Sequence, residues 1–515
     1  MNPASQSVIL EYLTNPLVHG IPADEISVIS THISIVVLAG TRAYKLKRAV
    51  HLPYVNLSTP ELRLQACQHE LELNLRTAPT LYLSVRRIMK DHDGRLSFDG
   101  PGEMVDAVVE MRRFADGALL ETVVQQQKML ESLAARLAAV IAEFHHRAKV
   151  VHTLDVPAAL AHVLATNEQV FSELTSLPKE KTKALSTALH EDLARHEKLL
   201  SARAAAGRVR HCHGDLHLRN VCLINGEPTL FDCIEFDDSL ATIDVLYDLA
   251  FLLMDLWSHG MAARANLVLN RYLDLSHDEG GMPLVPFFMA LRAAIRSHVI
   301  ATQAANATGR ARSSMERAAR RYLDLGLACL SPRQARLVAI GGLSGSGKSA
   351  LAAAIAHYIG PRPGARILSS DRIRKQLHGL PALSRLPEKA YQEDISEQVY
   401  AEQAERAERL AGVGCAVIAD AVFDRESDRI RIEQCSARVA VPFGGFWLEA
   451  PSVTLLARVK ARVNDPSDAN EAIVHTQLAR HREVERWVHV DAGGSLEATS
   501  ACVLQTLAAQ SATHD

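Results

Sequence analysis

The stretch LVAIGGLSGSGKSALAAAIAHYI, residues 337–359, decides the fold of the second half of the chain. Its first five residues are an apolar run that predicts a buried strand, and SALAAAIAHYI predicts a helix. Between them stand Gly342, four further residues, then Gly347, Lys348 and Ser349, the GxxxxGK[ST] spacing of a phosphate-binding loop. The chemistry needs these residue types in this order. Gly342, Gly345 and Gly347, with Ser344 and Ser346 between them, let backbone N–H groups turn toward phosphate oxygens. The helix N-terminus adds its positive dipole. Lys348 is expected to reach the β- and γ-phosphates, and Ser349 to ligate Mg²⁺.

Outward from this loop, strand and helix signals alternate to the C-terminus, which predicts an α/β P-loop NTPase fold with a parallel sheet over residues 335–515. In ILSSDRIRKQL an apolar strand ends at Asp371, and Arg374 follows one helical turn later. A carboxylate there can orient or deprotonate an acceptor hydroxyl, and an arginine can hold an anionic group. The bland alternative is a helix N-cap with a surface arginine. GCAVIADAVF is a buried strand ending in Asp420, where a second Mg²⁺-shell carboxylate is expected. LLARVKARVNDPSDAN places Arg458 and Arg462 four residues apart on one helix face before a Pro/Asp-rich loop. This reads as a lid whose arginines stabilise transferring charge, with a solvated basic face as the alternative. This half resembles small-molecule P-loop kinases of the gluconate, shikimate and polynucleotide 5′-hydroxyl type. SSDRIRK is similar to the Asp-x-x-Arg of the polynucleotide kinases. The resemblance implies that Asp371 is the base and Arg374 an acceptor or phosphate ligand.

The first half turns on HCHGDLHLRN, residues 211–220, followed by VCLINGEPTLFDCIEFDD. Two short apolar runs flank Asn225-Gly226, a type I′ hairpin signal, so the hairpin brings Asn220 and Asp232 side by side with Asp215 just upstream. Three histidines in one loop also raise a transition-metal site, but no cysteine or further histidine pair completes four ligands. An Asp, an Asn five residues later and a second Asp beyond a hairpin is how a protein-kinase-like fold builds its metal site. The loop resembles that of the aminoglycoside phosphotransferase-like family, His-Gly-Asp with Asn five positions on, here His213, Gly214, Asp215 and Asn220. The resemblance implies that Asp215 orients or deprotonates the acceptor hydroxyl, that Asn220 and Asp232 hold Mg²⁺, with Glu235 as an auxiliary, and that Asp248 buttresses the loop. It also implies a lysine for the α- and β-phosphates. AYKLKR offers Lys45 and Lys47 on one face of a strand, and Glu70 in the following helix is the expected partner.

Around these motifs, residues 31–50 read as a hairpin about Gly40, residues 59–79 and 129–147 as helices, and residues 155–206 and 240–328 as mostly helical. Ser331-Pro332 closes the last of these helices, which sets the expected domains at 1–330 and 335–515. The chain has 515 residues, 48% hydrophobic and 22% charged, with a formal net charge of -3, so no basic field invites nucleic acid or an anionic membrane. Aromatic residues make up 5%, which also disfavours base stacking. The eight cysteines form no CxxC pair, the N-terminus shows no signal peptide, and no stretch has the roughly 18 uninterrupted apolar residues of a membrane span. Reduced thiols and a cytoplasmic location are expected.

Taken together, the expected architecture is an N-terminal α+β protein-kinase-like phosphotransferase fold followed by the P-loop domain. Both halves resemble a bacterial fusion of an aminoglycoside phosphotransferase-like domain with a P-loop ATP-binding domain. The expected function is ATP- and Mg²⁺-dependent transfer of a phosphoryl group to a small-molecule hydroxyl at each of two sites. Two alternatives stand beside it: one catalytic domain regulated by a nucleotide-sensing partner domain, or a P-loop switch acting on a partner protein. Arg292 and Arg296, one turn apart, read as a surface face, with the lining of an acceptor pocket as the alternative.

Overall fold

The computed structural model describes residues 3–31, 33–52, 55–462, 465–480 and 484–512. Contacts group the chain into two compact units, one formed by residues 1–160 and 197–259, the other by residues 161–196 and 260–515.

The first unit is built on a six-stranded antiparallel sheet. Its strand order is Ile26–Ser30, Ser34–Ala39, Arg42–Lys47, Glu103–Arg112, Tyr82–Lys90, Leu96–Phe98. The hairpin about Gly40 forms as expected, with Ser34 opposite Lys47 and Ala39 opposite Arg42. Alternate side chains leave a strand on opposite faces. Ala43, Ala107, Val109 and Met111 therefore pack with Cys67 of the helix Pro60–Leu75, while Tyr44, Leu46 and Val108 pack with Ile9 and Leu13 of the N-terminal helix. The same period sends Lys45 and Lys47 to the face of Ala43, toward Glu70. Thr59 caps the Pro60–Leu75 helix by accepting from Leu62 N, and Pro60 opens it, as the Thr-Pro start implies. A second layer is helical. Leu133, Leu137, Ile141 and Phe144 of Glu131–Arg147 are buried, and the helix Val245–Ser258 is buried along nearly its whole length.

The second unit holds a five-stranded parallel sheet in the order Arg366–Ser369, Val417–Asp420, Leu337–Gly342, Phe443–Glu449, Val488–Asp491. Its core joins Val338, Ile340 and Ile418 to Leu351 and Ile355 of the helix after the loop and to Val503 and Leu507 of the last helix. Three further helices, Ala262–Ser276, Val285–Ala305 and Gly309–Leu330, belong to this unit. By length and composition the stretch Glu279–Ala305 passes as a membrane span, which reading for uninterrupted apolar runs did not reveal. Two thirds of its apolar window, 67%, is buried, and Ser297 Oγ donates to Ala319 O of the helix that follows. It is a core helix in this fold. Arg292 is buried on it, which corrects the expectation of a surface face, because the helix packs along the Gly309–Leu330 helix.

Candidate functional site

In the first unit the loop after Val209–His211 is held by its neighbours' polar groups. Gly214 takes φ +83°, and a Cβ there would lie 3.0 Å from Ile234 Cδ1 and 3.2 Å from Ala241 Cα, so glycine is required. Asp248 Oδ1 accepts from Gly214 N at 2.9 Å, and its Oδ2 faces His213 N at 3.2 Å and His145 Nε2 at 3.0 Å. Asp255, two turns along the same helix, accepts from Leu218 N at 3.0 Å. The loop is thus tied at both ends to one buried helix. His145, Cys212 and Asp248 bring possible ligand atoms within 4.8 Å of one another, but the Asp248 oxygens already serve the loop backbone and burial pushes the Cys212 thiol well up, which makes the trio a brace.

The Asn225-Gly226 hairpin forms with both residues at positive φ, 53° and 82°, the type I′ geometry. Its ends meet as read from the sequence: Phe231 N donates to Asn220 O at 3.0 Å. Asn220 Nδ2 donates to Asp215 O at 3.0 Å and to Asp215 Oδ2 at 2.9 Å. Asp232 follows with φ +63°, an uncommon conformation for a non-glycine residue that clusters at functional sites. It is ion-paired to Lys45 Nζ, which also donates to Glu70 Oε1 at 2.8 Å. Lys47 Nζ meets the other Glu70 oxygen and Glu235. Both lysines are therefore bound to Glu70, and Lys45 alone reaches Asp232. Burial by itself would lower the Lys45 ammonium, but the carboxylates of Asp232, Glu70 and Glu235 outweigh it and hold the group well above its usual range. Glu70 is held low by the two ammonium groups against the same burial.

In the second unit the P-loop joins the strand Leu337–Gly342 to the helix Lys348–Ile355. A Cβ on Gly342 would lie 2.7 Å from Leu448 O, and one on Gly345 2.5 Å from Leu455 O; both residues take positive φ. Ser349 Oγ donates to Asp420 Oδ2 at 2.7 Å, and Lys348 Nζ rests on Leu343 O at 3.0 Å. The sheet register puts Ser369 opposite Asp420 at the carboxyl edge, so Asp371, in the first turn of the helix Ser370–Leu377, opens onto the same pocket. That pocket, of about 280 Å³, is lined by Ser344, Lys348, Ser349, Asp371, Asp420 and Arg462, among others. Burial raises the carboxyls of Asp371 and Asp420 and lowers the Lys348 ammonium.

Three arginines differ in detail from the sequence reading. Arg374 lines the pocket, yet its Nη1 donates to Ala390 O at 2.7 Å and its guanidinium stacks over Tyr391 at 4.8 Å. The helix Ser452–Lys460 ends before Arg462, so Arg458 and Arg462 do not share one helix face, a correction that follows from the helix ending at Lys460. Arg458 is anchored to Ala492 O at 2.8 Å, and Arg462 approaches Asp465 at 3.8 Å. Val463 and Asn464 of the Pro/Asp-rich loop lie outside the described residues. Sequence reading missed Gln477, whose Oε1 accepts from the P-loop amide Ser344 N at 2.9 Å; nothing in its local sequence marks it. It also missed Asp255 as a brace, although its spacing of seven from Asp248 places both on one helix face.

Two protein families match separate parts of the chain. The phosphotransferase enzyme family matches residues 65–283, and the AAA domain family matches residues 337–484. An uncharacterised protein of Mycobacterium tuberculosis (strain ATCC 25618 / H37Rv) is 29% identical over 481 residues, 92% of this chain and 93% of its own length, and one of Mycobacterium bovis matches equally. Among solved structures, a choline kinase from Cryptosporidium parvum Iowa II is 13% identical, covers 62% of this chain and 95% of its own, and has a TM-score of 0.37. A gluconokinase from Sinorhizobium meliloti 1021 is 22% identical, covers 34% and 94%, and has a TM-score of 0.26. Residues 65–283 are thus similar to the phosphotransferase enzyme family and residues 337–484 to the AAA domain family.

Proposed function

We propose that the chain carries two ATP- and Mg²⁺-dependent phosphotransfer sites, each acting on a hydroxyl of a small molecule, and that its domains run from 1–330 and 335–515. The observation that carries this reading is that both constellations are complete: Lys45 joins Glu70 to Asp232 beside Asp215 and Asn220, and Ser349 joins Asp420 beside Lys348 and Asp371. The donor sets fit a hard cation, being carboxylates, an amide oxygen and a hydroxyl. Asn220 and Asp232 would hold Mg²⁺ in the first site, Ser349 and Asp420 in the second. The bound nucleotide–metal group supplies the phosphoryl and neutralises its charge.

The residues divide the remaining work. Asp215 and Asp371 orient the acceptor hydroxyl and accept its proton, one at each site. Lys45 and Lys348 hold positive charge where phosphate charge gathers. Arg458 and Arg462 border the same pocket and offset charge there, and Arg374 positions the wall that carries Tyr391. Glu70 and Glu235 orient the two lysines.

The test is transfer of label from γ-³²P-ATP into a metabolite extract by wild type, Asp215→Asn and Lys348→Ala. Each substitution is expected to remove a different labelled product, with losses of roughly 10²–10³-fold. If one substitution removes all label, the other half is a nucleotide sensor. If label enters no small molecule under any condition, the reading falls.

A further inference from the structure

The strand Arg366–Ser369 lies at the edge of the parallel sheet and runs straight into the helix that carries Asp371. An edge strand presents unpaired backbone groups. Here they are taken up by side chains of the helix Ala262–Ser276. Asn270 Oδ1 accepts from Ile367 N at 2.8 Å and its Nδ2 donates to Ala365 O at 3.1 Å, so one side-chain amide does what a neighbouring strand's peptide group would do. Asn266 Nδ2 donates to Pro363 O and Ala365 O, each at 3.1 Å.

One turn further on, Asp274 gathers the charged groups. Its Oδ1 lies 2.7 Å from Arg366 Nη2, and its Oδ2 lies 3.2 Å from Arg372 Nη1 and 3.0 Å from Arg271 Nη1. Its main-chain oxygen accepts from Gln376 Nε2 at 3.0 Å. Glu279 takes the other side of Arg366 at 2.9 Å. Arg366, Asp274 and Glu279 side chains are 2%, 8% and 8% exposed, so these pairs are desolvated and unscreened. Arg372 is the residue after Asp371, and Arg372 and Gln376 both lie on the helix Ser370–Leu377. The Asp274 carboxylate therefore grips the start of the edge strand and the first turn of the Asp371 helix at the same time. Without it, Arg271, Arg366 and Arg372 face one another at close range.

We propose that Asp274 is a positioning residue of the P-loop site, setting the placement of Asp371 through Arg372. The inference rests on the reading of Asp371 as the acceptor-side base. It also crosses the boundary drawn by sequence similarity, because Asp274 falls inside residues 65–283, matched by the phosphotransferase enzyme family, while its side chain serves the P-loop sheet. A change in the first matched segment is thus felt at the second site.

The test uses the full chain with Asp274→Asn, Arg372→Gln and the double substitution. Arg372→Gln leaves the Arg366, Asp274 and Glu279 pairs in place, so it separates positioning from folding. Two readouts are taken: amide hydrogen exchange over residues 366–377 and 343–352, and kcat and KM for ATP of the Lys348-dependent transfer. In Asp274→Asn, exchange over 366–377 is expected to quicken roughly tenfold with 343–352 unchanged, and kcat to fall roughly tenfold with KM for ATP within about twofold. Arg372→Gln is expected to lower kcat alike while the Ile367 amide stays protected, and the double substitution to be no worse than Asp274→Asn. Wild-type exchange and kcat in a folded Asp274→Asn protein overturn the proposal, as does an Arg372→Gln protein with unchanged kcat. If exchange responds as expected but the wild type shows no Lys348-dependent transfer, the positioning contact stands and the kinase reading of the pocket fails.

Discussion

At the scale of single residues, the loop of the first unit depends on a glycine and the buried carboxylate that accepts from its backbone. Gly214 at φ +83° lets the chain turn so that its own N–H and that of His213 point at Asp248. Gly214→Ala meets both a left-handed backbone and atoms of Ile234 and Ala241 at 3.0–3.2 Å. It is expected to cost about 1–3 kcal/mol in urea unfolding and to reduce Asp215-dependent transfer more than Lys348-dependent transfer. Equal loss of both activities would show that the turn is not what orients Asp215. The lysines illustrate how a residue-level ambiguity resolves. Strand period 2 puts Lys45 and Lys47 on one face, so spacing cannot choose between them, whereas contact with Asp232 belongs to Lys45 alone.

At the scale of elements, the P-loop site is made by carboxyl ends of parallel strands, where the next turn or helix delivers its first polar residue. Burial there raises Asp371 and Asp420 and lowers Lys348. In the proposed roles both carboxyls must be ionised, Asp371 to accept a proton and Asp420 to hold a cation. The acid limb of kcat/KM for Lys348-dependent transfer is therefore expected to lie above the ordinary aspartate value of 3.8. Activity should fall as pH drops through the raised values, while Asp371→Asn should remove the activity rather than shift the limb. A limb at or below 3.8 would contradict the role of burial. The arginine pair behaves differently: the Arg458/Arg462 spacing fits a helix, yet the helix Ser452–Lys460 ends ahead of the Pro/Asp-rich loop, and Arg462 approaches Asp465 in that loop.

At the scale of the whole molecule, acid stability follows from buried ion pairs in each unit. Burial alone would raise Asp274, but Arg366, Arg372 and Arg271 outweigh it and hold its carboxyl below the usual 3.8. Glu70 is held below 4.5 by Lys45 and Lys47. A depressed folded-state value means the contribution is fully present above the ordinary value and is lost as pH falls through the depressed one. The melting temperature is thus expected to fall steadily below about pH 4.5 and to be insensitive to these groups near neutrality. Asp274→Asn should lower the melting temperature at pH 7 and flatten part of the acid slope. An acid slope identical to wild type would show that Asp274 does not carry it.

Much was settled by local order in the chain. The P-loop, the Asn225-Gly226 hairpin, the Thr59-Pro60 helix start and the Gly40 hairpin each need only neighbouring residues, because turn chemistry, capping and strand period act over a few positions. Motif spacing also placed Asp215, Asn220 and Asp232 together, since a tight hairpin brings its ends to one spot. What only the tertiary structure decided is which distant partners complete those pieces. Gln477 on Ser344 N, Asp255 on Leu218 N and the Asn270–Asp274 clamp on an edge strand lie 133, 37 and about a hundred residues from their partners. Each is a polar side chain meeting a backbone or a charge that burial would otherwise leave unsatisfied, and that need arises only once the helices have packed.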